Sequence, residues 1–121
     1  MRGRSSPRPH STTARGRAAE RRAAWRYRLR GYRILGRNVE AGGVELDLIV
    51  RRGRHLVFCE VKAKTGADYG DPLEMVTPEK ARRVRRAAEA WLAARPDLVS
   101  LEVRLEAAAV RRRGVRRVSL D

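Results

Sequence analysis

The chain has 121 residues, of which 29 are Lys or Arg and 14 are Asp or Glu, so its formal net charge is +15. This length suits one domain with a modest core, and the charge is typical of proteins that bind polyanions, above all nucleic acid. One Cys and two His exclude an intramolecular disulfide and the usual structural zinc site. No apolar run approaches 18 residues and no apolar signal core follows the basic N-terminus, so we expect no membrane span and a cytoplasmic location.

The N-terminal part of the chain divides into a tail and a helix. Residues 1–14 mix Pro, Ser, Thr, Arg and Gly without periodicity, which predicts a disordered basic tail before a single domain over residues 15–121. Alanines near helical spacing predict a helix from about Arg15 to Arg30, with Gly31 as its stop.

Three side chains of this helix bear on function. Glu20 lies among arginines, so local ion pairing is the simplest role for it. Trp25 and Tyr27 are expected to be core or packing residues rather than platforms on which nucleic-acid bases stack.

A three-strand meander is predicted next. The strands cover Tyr32–Val39, Val44–Val50 and Leu56–Lys62, and the last two are rich in β-branched and aliphatic residues. Ala41–Gly43 and Arg51–Arg54 are short enough to be the hairpin turns between them.

The second half of the chain begins with a loop over Ala67–Val76, whose position after the third strand suits a segment that faces a substrate. Thr77 as N-cap and Pro78 at the first helical position predict a helix that ends near Ala94, before Pro96.

Leu101–Val110 and, more weakly, Val115–Leu120 are predicted strands. The expected fold is therefore mixed α/β, a mixed β-sheet flanked by helices in the order α-β-β-β-α-β(-β), with one end of the sheet open for acidic side chains.

Acidic residues occur inside the two most aliphatic strands. Alternation places Glu45 and Asp47 on one face of their strand and Val44, Leu46 and Leu48 on the other. A buried carboxylate costs several kcal/mol unless it is paired, and a hard divalent cation is a good partner.

The next strand carries the other half of the pattern. Phe58, Glu60 and Lys62 share one of its faces, and Val57, Cys59 and Val61 share the opposite face. Neighbouring antiparallel strands lie about 5 Å apart, so Asp47 and Glu60 are expected to reach one metal ion.

This pattern suits phosphodiester hydrolysis. A metal held by Asp47 and Glu60 polarises the phosphate and acidifies a bound water, while Lys62 orients that water or neutralises developing charge. Oxygen ligands favour Mg²⁺ or Mn²⁺ over zinc. The alternative is a surface hairpin in which the same side chains form ordinary cross-strand ion pairs.

The arrangement resembles the PD-(D/E)xK nuclease superfamily, in which an Asp precedes Glu-x-Lys on the next strand. More closely, the chain is similar to the YraN family of small bacterial proteins over roughly residues 16–110. The matching residues are Glu20, Ala23, Gly31–Leu35, Asn38, Gly43–Ile49, Phe58–Lys62, Tyr69–Gly70, Thr77–Lys80 and Arg104–Glu106.

The resemblance implies a restriction-endonuclease-like core and a set of site residues. Asp47 and Glu60 would be metal ligands, with Val61 between the motif residues as a further metal-binding position. Lys62 would be the catalytic lysine, and Glu20 an acid that reaches the site from the first helix.

The sequence departs from the family pattern in two places. Gly43–Asp47 is one residue longer than the usual Gly-Glu-Ile-Asp, which affects the role of Glu45 as a second acid. Leu105-Glu106 replaces Phe-Asp after Arg104. Neither departure changes Asp47, Glu60 or Lys62.

The second predicted helix is rich in basic side chains that suit contacts with a phosphate backbone, although they equally suit a solvated face. These residues are Lys80, Arg82, Arg83 and Arg86.

Three functions follow from these patterns. The first is a metal-dependent endonuclease that acts on DNA, with branched DNA suggested by the related resolvases. The second is a non-catalytic nucleic-acid-binding module on a nuclease scaffold. The third is a ribosome- or RNA-associated protein. Cutting both strands would favour a homodimer.

Overall fold

The computed structural model describes residues 14–64 and 72–121. The expected basic tail, except for its last residue, lies outside these ranges. So does the first half of the loop expected to face a substrate, residues 67–71.

The described chain forms two α-helices and five strands in the predicted order. Two short 3₁₀ turns, Pro72–Met75 and Pro96–Leu98, flank the second helix. The elements are α1 (Ala14–Leu29), β1 (Arg33–Ala41), β2 (Val44–Arg52), β3 (His55–Ala63), α2 (Pro78–Ala93), β4 (Glu102–Arg111) and β5 (Gly114–Ser119).

The strands lie side by side in chain order, β1 to β5, in a single sheet of the described residues. β3 and β4 are parallel, because α2 carries the chain back between them, and every other neighbouring pair is antiparallel. This mixed α/β architecture confirms the predicted fold class. Neither helix is long and apolar enough to cross a lipid bilayer in the part of the chain that the structure describes.

The predicted helix boundaries are confirmed by their hydrogen bonds. Gly31 follows α1 and has a φ of 91°. The Tyr32 amide donates a hydrogen bond to Tyr27 O, and the Gly31 amide donates one to Arg28 O; both bonds are 3.0 Å long. This is the Schellman arrangement that ends a helix at glycine. At α2, Thr77 Oγ1 accepts a 3.0 Å hydrogen bond from the Lys80 amide, as expected of an N-cap.

The sheet separates two apolar clusters. On one face α2 packs over Leu46, Ile49 and Phe58, and the Phe58 ring meets Trp91 of the helix edge to face at 5.6 Å. On the other face α1 packs over residues that include Leu48, Val50, Val57, Cys59 and Val61.

Trp25 corrects one expectation about α1. The helix buries Ala19, Ala23 and Tyr27, spaced four residues apart, against the sheet. Trp25 lies about 200° around the helix from Tyr27 and is 60% exposed, so the expectation that it packs in the core is wrong. Tyr27 is fully buried, as expected.

β2 corrects a second expectation. Strict alternation places Leu46 and Leu48 on one face, but Leu46 packs under α2 and Leu48 under α1. The switch occurs at Asp47. On β1, Asn38 lies between the partners of these two leucines and has a φ of 50°, so the β1 backbone departs from extended geometry at the level where β2 changes face.

Candidate active site

Asp47 lies where the pairing of β2 with β3 ends. The last ladder pair is Leu48 with Cys59, and the same register places Asp47 opposite Glu60. The Asp47 side chain is fully buried, and its Oδ2 accepts a 2.6 Å hydrogen bond from the Val61 amide. A carboxylate therefore takes the place of a main-chain acceptor and is held beside the Glu60–Val61 peptide.

Glu60 points to the α2 face of the sheet, as the alternation of β3 predicts. Its Oε1 accepts a 2.7 Å hydrogen bond from Arg83 Nη2, and its Oε2 lies 3.7 Å from Lys80 Nζ. The Glu60 side chain is only 14% exposed. Two of the basic residues predicted to contact phosphate therefore hold a predicted metal ligand.

Lys62 is exposed and lies two residues beyond Glu60 on β3. Its partner in the parallel ladder with β4 is Ala109, which is buried among small residues. A flexible cation thus lies next to the acidic positions, where it can approach a bound phosphate.

The two remaining predicted acids lie on the α1 side of the sheet. Glu20 is buried on the face of α1 that packs against the sheet, so it is not a surface residue of a solvated helix. Glu45 is partly buried, and its ladder partner on β1 is Glu40. Neither residue shares the α2 face on which Glu60 meets its cations.

The donor set suits a hard divalent cation. Carboxylates of Asp47 and Glu60 and the main-chain carbonyl of Val61 offer oxygen only. Residues 14–64 and 72–121 contain no cluster of three or more His, Cys, Asp or Glu side chains arranged for a metal. Mg²⁺ is commonly held by one or two carboxylates, with water and substrate phosphate as its other ligands, so the two acids are enough. Arg83 and Lys80 already place positive charge against Glu60.

The predicted phosphate-binding arginines are exposed along α2 and line an open groove of about 500 Å³. Arg82, Arg83 and Arg86 border it together with Arg85, and Glu79 and Glu89 lower its positive charge. The structure therefore brings the predicted basic residues together on one surface next to Glu60.

A second polar cluster, on the α1 face, was not predicted. Glu106 is buried and accepts a 2.7 Å hydrogen bond from the Tyr27 hydroxyl and a 3.0 Å bond from Arg117 Nε. The Arg117 guanidinium also lies 4.8 Å from the centre of the Tyr27 ring. An acid within the aliphatic run of β4 was the available signal, of the same kind that identified Asp47.

This cluster shifts the pKa values of its members. Burial is the main cause that raises the pKa of the Tyr27 hydroxyl, and the negative charge of Glu106 adds to it. Burial also raises the pKa of the Cys59 thiol, so an inert, protonated cysteine is expected. For Arg117, burial acts to lower the pKa, but Tyr27 and Glu106 outweigh it and leave the pKa raised.

Comparison with known proteins places the chain in a family. The sequence profile described as "Uncharacterised protein family UPF0102" matches residues 19–113. The chain belongs to the UPF0102 family. This is the YraN family that the sequence resembles, so that resemblance is confirmed.

Individual UPF0102 proteins are similar over much of the chain. One from Syntrophotalea carbinolica is 43% identical over 82% of this chain and 80% of its own length. One from Methylocella silvestris is 43% identical over 78% of this chain and 75% of its own. One from Acidothermus cellulolyticus is 48% identical over 64% of this chain, and the matched region covers 58% of that relative's length. The UPF0102 match contains Glu20, Asp47, Glu60 and Lys62, and it ends before Arg117.

Proposed function

We propose that the protein is a metal-dependent endonuclease-like enzyme of the PD-(D/E)xK superfamily that hydrolyses phosphodiester bonds in DNA. The observation that carries the proposal is the hydrogen bond from the Val61 amide to the Asp47 carboxylate. This bond fixes Asp47 beside Val61, the residue that follows the second acid, Glu60. The charge of +15 supports a polyanionic substrate.

Asp47, Glu60 and the Val61 carbonyl would hold Mg²⁺ or Mn²⁺. When bound, such a cation polarises the scissile phosphate and lowers the pKa of a coordinated water. Asp47 is held in place for this role by the Val61 amide, which donates to one of its two oxygens. The second acid, Glu60, is oriented by Arg83 and Lys80.

The surrounding cations have separate roles. Lys62 is exposed beside the acids, so its ammonium group can reach a non-bridging phosphate oxygen and neutralise charge that develops there. The arginines along α2 extend this positive surface and would hold the flanking phosphates, which adds affinity without base specificity.

Cleavage assays test the proposal. The purified protein is incubated with supercoiled, linear and four-way-junction DNA in Mg²⁺ or Mn²⁺. We expect cleavage that falls by about 100-fold or more in Asp47→Asn, Glu60→Gln and Lys62→Met. Lys64→Met is the matched control, since it removes the same charge two residues further along, and it should keep most of the activity.

A non-catalytic nucleic-acid-binding module is the second candidate, and the ion pairs of Glu60 with Arg83 and Lys80 favour it. Under this function the acids serve structure alone, so DNA binding survives chelation and survives Glu60→Gln. Absence of cleavage on every substrate, with equal DNA binding by the parent and the variants, would select this function over the first. The homodimer expected for cutting both strands stays a prediction.

A further inference from the structure

The outer surface of α1 carries two large apolar side chains in a strongly basic setting. Trp25 is 60% exposed and Leu29 is 64% exposed. They border an open groove of about 390 Å³ whose apolar floor includes Ala18 and Val115. Arg21, Arg22 and Arg26 line the same groove. Trp25 and Leu29, four residues apart on α1, therefore form an exposed apolar pair bordered by arginines.

A second cavity adjoins this groove. It has a volume of about 280 Å³, and Arg26 and Val115 line both cavities, so the two are neighbours between α1 and β5. Arg26, Arg30 and Arg117 line the second cavity with Glu106 as its acid, an excess of two positive charges over negative ones. We call the two cavities together the α1–β5 groove.

The arginine end of the groove is built on buried contacts. Arg117 donates two hydrogen bonds to the Glu106 carboxylate, from Nε at 3.0 Å and from Nη2 at 3.4 Å. The Tyr27 hydroxyl donates a third hydrogen bond to the same carboxylate. Glu106 thereby neutralises Arg117 and fixes its orientation. The charge of Arg26 and Arg30 is left to attract an anion that enters from solvent.

We propose that the α1–β5 groove binds a single-stranded segment of nucleic acid, with a base stacked on Trp25 and a phosphate held by Arg26 and Arg30. An exposed aromatic ring followed by a cationic pocket is the combination that single-stranded nucleic acid requires. A duplex keeps its bases stacked inside and offers no free base face to the tryptophan. A second copy of this chain fits poorly, since it would bring its own arginines against these.

This site is distinct from the proposed catalytic site. Glu60 and its cations lie on the α2 face of the sheet, and the groove lies on the α1 side. The inference rests on nucleic acid as the partner, which is part of the proposed function, but it does not require cleavage.

Intrinsic fluorescence gives a direct test, because Trp25 is exposed and the other tryptophan, Trp91, is buried. A short oligothymidylate should quench the emission of the parent protein and of Trp91→Phe, but not that of Trp25→Phe. The affinity of Trp25→Ala for the labelled oligonucleotide, measured by anisotropy, should fall at least about fivefold. A duplex of the same length should not quench Trp25.

Charge variants test the phosphate end. Arg26→Gln and Arg30→Gln should each weaken oligonucleotide binding and lower the number of ions released on binding by about one. Arg54 lies on the turn between β2 and β3, away from the groove. Arg54→Gln removes this exposed arginine and should change neither the oligonucleotide affinity nor its salt dependence.

Several results would overturn the inference. The inference is wrong if the parent and Trp25→Phe show the same oligonucleotide affinity and the same fluorescence quenching. It is also wrong if a duplex quenches Trp25 as strongly as the single strand does. A dimer that forms without nucleic acid and is dispersed by Trp25→Ala would assign the groove to a second copy instead. Asp47→Asn separates the two proposals, because it should abolish cleavage and leave the Trp25 quenching unchanged.

Discussion

The Val61 amide donates a 2.6 Å hydrogen bond to Asp47 Oδ2, at the level where the β2–β3 ladder has just ended. Through this bond the first acid of the motif is fixed to the peptide that follows the second acid, Glu60. The two carboxylates come from different strands, and this buried contact contributes to their relative position. Both the stability of this region and the proposed metal site therefore depend on Asp47.

Asp47→Ala should lower the free energy of unfolding by about 1–3 kcal/mol, because it leaves the buried Val61 amide without its acceptor. Lys62→Ala should change it by no more than about 0.5 kcal/mol, since Lys62 is exposed. Urea unfolding followed by circular dichroism measures both values. Equal stability of Asp47→Ala and the parent would show that the contact contributes nothing.

Arg83 and a divalent cation should compete for Glu60. Arg83 Nη2 lies 2.7 Å from Glu60 Oε1, and the Arg83 side chain is 46% exposed, so this pair is weak enough to be displaced. Arg83→Gln should therefore tighten Mn²⁺ binding up to about fivefold, the equivalent of an exposed ion pair. The neighbouring Arg82→Gln is the control and should leave the affinity as it is. Weaker Mn²⁺ binding in Arg83→Gln than in Arg82→Gln would contradict the competition.

Tyr27 should make stability depend on alkaline pH. Burial raises its pKa in the folded state above the ordinary value of 10.0. The folded protein then retains a proton that the unfolded chain releases, so this contribution is complete below about pH 10 and is lost as the pH rises further.

Tyr27→Phe isolates this effect. It should cost about 1–2 kcal/mol near neutral pH, because the hydrogen bond to Glu106 is lost, but its urea midpoint should fall less steeply above about pH 10. Urea midpoints of the parent and the variant, compared across that range, are the measurement. Parallel declines in the two proteins would argue against a buried, protonated Tyr27.

The pair of Arg117 and Glu106 should be strongly coupled. Arg117→Met leaves the buried Glu106 carboxylate without its cation and should cost roughly 2–4 kcal/mol. This is less than for a fully buried pair, since 27% of the Arg117 side chain is exposed. The double variant Arg117→Met/Glu106→Gln should be more stable than Arg117→Met alone. If the free-energy costs of Arg117→Met and Glu106→Gln simply add in the double variant, the coupling is contradicted.

Much of the fold was predictable because its determinants are local. Gly31 stops α1 and Thr77 begins α2 through groups within a few residues of each boundary. The faces of β3 followed from alternation alone, so the direction of Glu60 was predicted correctly.

Other features depend on contacts that no local pattern contains. The change of face at Asp47 arises with an irregularity in the neighbouring strand, around Asn38. The pairing of Glu60 with Arg83 joins residues 23 positions apart, and that of Glu106 with Arg117 needs the register of the last two strands. Trp25 was mispredicted because hydrophobicity alone does not say which side of an alanine-rich helix meets the sheet.

The central claim is that Asp47 and Glu60 bind one divalent cation together. Calorimetric titration of Mn²⁺, and then Mg²⁺, into the parent protein, Asp47→Asn and Glu60→Gln tests it most directly, with circular dichroism to check that each variant is folded. The account predicts one binding event in the parent that is lost in both folded variants. Binding that persists unchanged in both variants, or none in the parent at millimolar metal, would contradict it.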